Sequence, residues 1–359
     1  VRITKPGVYQ TFASAETTVL KGTGAQFAAS TAMSLLLRDG VYLELGPGVI
    51  IENTDPTRTI VGFASMQSGG IIGGWLRSTW TPASSDAGSG IVAWCTDDPN
   101  DDPNSNLLFE DLRISGVGSY GLGMQFGFFK NNRYRNLWIH DTGADAVDHK
   151  TRPMLDGTQA SGISLDGLLA ERYGRRTGIV ASAAIDIRGP VMAQNITVRE
   201  AGYTSQGNVG IRLSAGIYSG ADIRQPSAGA VVTNVDLDAG DPTIAGTKGI
   251  VLLDSGGVVD GGRVKNFDIG VSEEGSSSGY GSNAGARVAN ITVEAARTTS
   301  FNVGDARTSL ENCYAVGQNE TFEEDQGNLA NAQTVFVSPR DFDAAAVQVY
   351  NNGTLLTLT

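Results

Sequence analysis

The sequence predicts an all-β protein, a right-handed parallel β-helix of stacked coils with a capping helix at its N-terminal end. Three observations carry that expectation. Short apolar/polar alternations bounded by Gly, Pro, Asn or Asp run through most of the chain, the pattern of short strands between turns. A unit recurs from residue 109 onward: FEDLRIS, YRNLWIH, LDGLLAE, AQNITVR, VTNVDLD, GGRVKNF, VANITVE and LENCYAV. Its third positions are Asp111, Asn136, Gly167, Asn195, Asn234, Arg263, Asn290 and Asn312, at steps of 25, 31, 28, 39, 29, 27 and 22 residues. Finally, the unit holds strands and turns but no helix, which excludes helical repeat arrays, and most steps are too short for a four-stranded propeller blade. Strands that recur once per coil pair in parallel, and parallel crossovers are right-handed.

Residues 1–20 read as one or two short strands. Residues 24–38 (GAQFAASTAMSLLLR) read as an amphipathic helix, with Phe27, Met33, Leu36 and Leu37 at helical spacing, Thr23 as N-cap and Gly40 as stop. VYLEL, VIIEN, TIVGF and GGIIGG follow as strands, and IVAWC is a strand between two polar loops. The acidic run Asp97, Asp98, Asp101 and Asp102 has the residue types of a calcium loop, although a solvated loop explains it as well. Residues 317–333 read as a loop or coil cap, and the last stretch as strands with an Asn-Gly turn at 352–353. The expected organisation is therefore 1–40 for N-terminal strands and helix, 41–316 for the β-helix, and 317–359 for a C-terminal cap or oligomerisation strands.

Stacking turns equivalent positions into columns, about 4.8 Å apart. An Asn at a sharp bend can bond both its own backbone and its stacked neighbours. A second series, GMQFG, AVDHK, AIDIR, GIRLS and GIVLL, puts Met124, Val147, Ile185, Ile211 and Ile250 inward. Alternation then turns Gln125, Asp148, Asp186 and Arg212 outward, with Lys150, Arg188 and Ser214 two residues on. In the first series Trp138 and His140 point outward, and Glu171, Arg199 and Asp238 share the column of His140. The turn Asp141–Asp145 joins the two patches, and His149 points inward.

Composition narrows the function. The net charge is -12, which disfavours nucleic acid and anionic membrane as partners. No stretch reaches a membrane-spanning apolar length, and no signal peptide opens the chain. Cys95 and Cys313 lie far apart without metal-ligand spacing, so the expectation is two buried free thiols, no metal centre and no cofactor. The candidate catalytic residues of the two columns are the carboxylates Asp148, Asp186 and Glu171, with His140. Paired carboxylates one coil apart suit acid/base cleavage of a glycosidic bond. The basic residues Lys150, Arg152, Arg188 and Arg212 equally suit β-elimination, in which a cation neutralises a uronic acid. Trp138 and Tyr173 offer rings on which a sugar could stack. Surface ion pairs produced by stacking alone are the plainer reading of the same residues.

A helix ahead of a stacked coil, with a strand-rich C-terminal end, resembles the pectate-lyase-like β-helix superfamily, and within it bacteriophage tailspikes and polysaccharide depolymerases. The resemblance covers most of residues 20–320 as pattern. It implies a glycoside hydrolase acting on a bacterial surface polysaccharide, a homotrimer, and a place in a virion tail or outside the cell. A lyase and a non-catalytic carbohydrate-binding virion or adhesin protein are the alternatives. Thr142-Gly143-Ala144-Asp145 is similar to the Thr-Gly-Asp-Asp of polygalacturonase-type hydrolases, with Ala144 in place of that motif's first aspartate, so this resemblance implies Asp145 as a further candidate catalytic residue.

Overall fold

In a computed structural model the described residues are 1–11, 33–63, 66–84, 86–94, 104–151, 158–201, 207–214, 229–253, 256–274, 286–303, 308–316, 349–351 and 354–356. They form the right-handed parallel β-helix, with three strand-bearing faces per coil. Face one runs from Arg2–Ile3 through Val41–Leu45, Gly69–Ile72 and Leu107–Glu110 into the first halves of the long strands. Face two begins with Gly7–Thr11, Val49–Asn53, Trp75–Ser78 and Arg113–Val117 and continues in their second halves. Face three is a sheet of ten strands, from Met33–Leu36 to Thr299–Asn302. From the fifth coil to the tenth, faces one and two share one bent strand, as in Arg133–Thr142, Ile163–Glu171 and Val191–Arg199.

The bend is a single left-handed residue. Asp111, Asn136, Asn195, Asn234, Asn290 and Asn312 have φ between 50° and 58°, and Gly167 and Gly261 have φ of 78° and 80°. Most L-residues pay roughly 1–2 kcal/mol for that conformation; Asn and Asp offset it with local hydrogen bonds, and Gly avoids it. The amides form a ladder: Asn136 Nδ2 donates to Asp111 Oδ1 (2.9 Å), Asn234 to Asn195 (2.6 Å) and Asn312 to Asn290 (3.3 Å). Where glycine interrupts it, the preceding aspartate stands in. Asn195 donates to Asp166 (2.8 Å), beside Gly167, and Asn290 to Asp260 (2.7 Å), beside Gly261.

The expected alignment needs one correction here. In the ninth coil the bend falls at Gly261, not Arg263, and Val235, Gly262 and Ile291 are in register. Arg263 is instead an outward residue that bonds Asp236 at 2.9 Å. Two consecutive glycines left that coil without the Asn that marks the others.

Alternation inside the tube builds the core. One column descends through Ile71, Phe109, Tyr134 and Leu165, with Phe109 and Tyr134 rings stacked at 6.0 Å. Another holds Leu122, Val147, Ile185 and Ile211, all at most 1% exposed. His149 points inward as expected. Its Nε2 lies 3.2 Å from the Tyr134 hydroxyl, Phe129 packs edge-on against it, and burial lowers its pKa to about 3.

Part of the expected helix is overturned. Residues 12–32 lie outside the described residues, but Met33–Leu36 is a strand, paired with Thr59–Phe63. The exposed edge of the next coil gives those apolar residues a pairing partner, and tertiary pairing overrides a helical spacing this short. Arg2–Ile3 and Gly7–Thr11 are strands, as are the four segments expected between residues 41 and 74. Cys313 is a buried free thiol, whereas Cys95 and the acidic run 97–102 lie outside the described residues. Near the C-terminus, Val349–Asn351 pairs antiparallel with Thr354–Leu356.

Candidate functional site

The outward column of face three carries the densest ionisable cluster. Its register is Gly123, Asp148, Asp186, Arg212 and Val251 in successive coils. Gly123, not Gln125, therefore opens the column. Lys150 and Arg188 form the adjacent outward pair. Asp145 precedes Val147 in the fifth coil, and its Oδ1 accepts the Ala183 backbone N–H at 2.6 Å. One oxygen from each of Asp145, Asp148 and Asp186 lies within 4.8 Å of the other two.

Outward does not mean exposed here. Asp148 is 0% and Asp186 1% accessible, and Asp145 and Lys150 are buried too. Lys150 Nζ is 2.5 Å from Asp148 Oδ2. Arg188 and Arg212 reach Asp186 Oδ2 at 3.2 and 3.4 Å, with the Ser214 hydroxyl 3.4 Å from Oδ1. Three carboxyl groups thus face three cations, with no surplus of negative charge. That balance is the arrangement of an internal ion network rather than of a cation cage, which needs surplus negative charge.

The carboxylates do not titrate alike. Burial, reinforced by the charges of Asp148 and Asp186, pushes Asp145 up to about 7. Burial also raises Asp148, against the pull of Lys150. For Asp186 burial is outweighed by Arg188, Arg212 and Lys150 together, which hold it down to about 2. One carboxyl therefore retains a proton near neutrality while its neighbour stays ionised, which is the division of labour an acid/base pair requires.

A further titratable group at this cluster escaped the sequence reading. Tyr120 lies in the turn before Leu122–Gly127, and its backbone registers beside Asp145, through the hydrogen bond from Gly121 N to Asp145 O. Its ring packs over Gly123, where an added Cβ would meet Tyr120 at 3.3 Å, and Lys150 Nζ stands 5.8 Å from the ring centre. Burial and the charges of Asp148, Asp145 and Asp186 raise the phenol well above its usual range. The available signal was the absent side chain of Gly123, which leaves room for a neighbouring ring.

The second candidate patch, on face two, resolves differently. His140 is on the outer side of the sheet but only 5% accessible. Arg113 Nε donates to His140 Nε2 at 2.9 Å, and arginine can only donate. The ring hydrogen therefore sits on Nδ1, which donates to Asp141 Oδ2 at 2.6 Å. Asp141 also accepts from Arg172 and Arg175. Although burial opposes it, the His140 hydrogen bond and the two guanidinium groups lower its pKa. His140 is a linker in this network, with no lone pair directed at a substrate. The run 171–176, rich in arginine, folds back on the 142–144 turn through backbone bonds from Gly174, Arg175 and Arg176.

The remaining candidates scatter. Glu171 is in register with His140 and accepts from Trp138 Nε1 at 2.6 Å. Arg199 pairs with Asp236, while Asp238 accepts from Asn266 at 2.9 Å. Trp138 is 37% exposed, and one face of its indole is covered by Arg113, 4.0 Å from the ring centre and sandwiched against Trp75 on its other side at 3.8 Å. Tyr173 is not a sugar platform. It is fully buried in the core with its hydroxyl donating to Val209 O at 2.7 Å, because its position alternates inward at the corner. Arg152 lies outside the described residues. The structure thus gathers Asp145, Asp148, Asp186, Lys150, Arg188 and Arg212, and leaves His140, Glu171, Trp138 and Tyr173 outside that cluster.

No family model matches the chain, and no curated protein does. Among solved structures, the chain is similar to the Azotobacter vinelandii mannuronan C-5 epimerase AlgE4 A-module, at 14% identity and a TM-score of 0.43, over 87% of this chain and 81% of that one.

Proposed function

We propose that the chain cleaves glycosidic bonds of a bacterial surface polysaccharide by acid/base hydrolysis at the Asp145, Asp148 and Asp186 cluster. The observation that carries this reading is the convergence of three carboxyl groups whose oxygens approach within 4.8 Å, one protonated near neutrality and one held ionised. Oxygens this close fall short of the roughly 6.5–9.5 Å that an inverting pair needs for its water, which favours the retaining geometry of about 5–5.5 Å. In that reaction Asp186 attacks the anomeric carbon as the bond to the leaving oxygen breaks, and that oxygen takes the Asp145 proton. Water then opens the glycosyl ester at the same carbon and returns a proton to Asp145, so both groups end as they began. Asp148, fixed by Lys150, keeps the Asp145 proton in place by its charge and burial. In the same reading the chain works in a phage tail or outside the cell, as a homotrimer, which sedimentation of the full chain tests directly.

Lys150, Arg188 and Arg212 favour a second chemistry, β-elimination, because they could neutralise a uronic acid at the same place. The experiment that separates the readings is incubation with capsule, O-antigen and exopolysaccharide preparations, following reducing ends and the ultraviolet absorbance of unsaturated uronic acid together. Reducing ends without absorbance, abolished in Asp145→Asn and Asp186→Asn, are the expected result. Absorbance would replace the hydrolase with a lyase. Binding without cleavage would leave a carbohydrate-binding virion or adhesin protein.

A further inference from the structure

The cluster has a rim and a floor. Asp148 and Asp186 form the floor, at 0% and 1% accessibility, while Tyr120, Arg188 and Arg212 retain partial exposure. A sugar approaching Asp145 from solvent meets the rim first. Arg188 and Arg212 are both engaged with Asp186. Arg212 also donates to Ala181 O. The Tyr120 ring packs over Gly123, which gives it a defined place at the rim and lowers the cost of ordering its hydroxyl as a donor. A phenol in that position beside three carboxyl groups remains protonated across the working range, so it can donate a hydrogen bond but not act as a base.

Resting on the hydrolytic reading above, we propose that Tyr120 contacts the substrate directly, its phenolic O–H donating a hydrogen bond to a hydroxyl of the sugar ring whose bond is cut, seated above Asp145. Nothing in the composition or the repeat marks this residue. It stands out only because the fourth coil registers Tyr120 beside Asp145 and Gly123 beside Asp148. Sugar hydroxyl contacts that strengthen as charge develops at the anomeric carbon are worth more in the transition state than in the bound ground state.

The test compares Tyr120→Phe with the parent on whichever polysaccharide of the panel is cut. Phenylalanine keeps the ring over Gly123, and an unchanged circular dichroism spectrum and melting temperature verify that. The expected result is a loss of kcat/KM on the order of tenfold or more, carried mainly by kcat. A matched pair, Asp186→Asn with and without Tyr120→Phe, measures polysaccharide binding in the absence of turnover, and weaker binding in the double variant supports the contact. Parental kcat/KM in Tyr120→Phe, with parental binding in the pair, overturns the proposal while leaving the hydrolase standing. Activity lost in Tyr120→Phe but kept in Asp145→Asn and Asp186→Asn overturns the carboxylate assignment and leaves Tyr120 in the site. A parent that neither binds nor cuts any member overturns both.

Discussion

Asp145 is the residue at which stability and chemistry oppose each other. Its native pKa of about 7 lies above the ordinary aspartate value, so the folded chain holds a proton that the unfolded chain releases. The sign follows from linkage: the native state binds more protons between about pH 4 and pH 7, so stability falls as pH rises through that window. Asp145→Asn, which keeps an acceptor for Ala183 N–H, should therefore raise the melting temperature at pH 8 and lose that advantage near pH 4, while abolishing cleavage. Thermal melts at the two pH values check it; equal melting shifts would mean that the carboxyl is not strained by its surroundings. His140 should behave in the opposite way. His140→Ala strands Arg113 Nε and Asp141 in a partly buried place, costing about 1–3 kcal/mol, yet kcat should stay within about threefold of the parent. Denaturant titration and rate measurement together decide whether His140 is a linker or a base. The sequence made the outward direction of Asp148, Asp186 and His140 legible, because strand alternation has a period of two. It did not show that all three are covered, nor that Arg113 and Asp141 bracket His140, because those partners come from another coil or around a corner.

At the scale of the element, the bent strand and its ladder are where sequence and structure agree best. Five of the eight aligned positions are Asn, and all five adopt the left-handed bend. The bend in the ninth coil was misread because glycine achieves the same conformation without leaving a polar signature. Met33–Leu36 was misread because a strand of four residues with three apolar side chains has no period long enough to distinguish it from a helix turn. The ladder makes an ordered prediction. Asn195→Gly keeps the bend but removes the bonds to Asp166 and from Asn234, costing about 1 kcal/mol. Asn195→Ala removes both and adds the left-handed strain, roughly another 1–2 kcal/mol. Unfolding rates in denaturant should therefore rank parent, glycine, alanine from slowest to fastest. Alanine equal to or slower than glycine would remove the conformational part of this account.

For the whole molecule, the site draws on four successive coils: Tyr120 from the fourth, Asp145, Asp148 and Lys150 from the fifth, Asp186 and Arg188 from the sixth, and Arg212 from the seventh. Its titration is thus a property of the assembled stack. Cleavage should decline on the alkaline side as Asp145 loses its proton near pH 7, under the joint influence of Asp148, Asp186, Arg212 and Lys150. On the acid side it should persist until Asp186 is neutralised near pH 2. A kcat/KM profile measured over the range in which the fold survives checks both limbs, and an optimum above pH 8 would remove Asp145 as the acid. The stack has a mechanical consequence as well. Its strand-to-strand hydrogen bonds and the rungs of the Asn ladder run along the tube axis, while the chain itself and the packed interior tie one face to another. Tension applied along the axis must break an entire layer of these bonds together. Tension applied tangentially at an end coil breaks them one after another. Held by its ends, the tube should be stiff and brittle; pulled by a loose terminus, it should unwind coil by coil at much lower force, and single-molecule pulling in the two geometries would separate those behaviours.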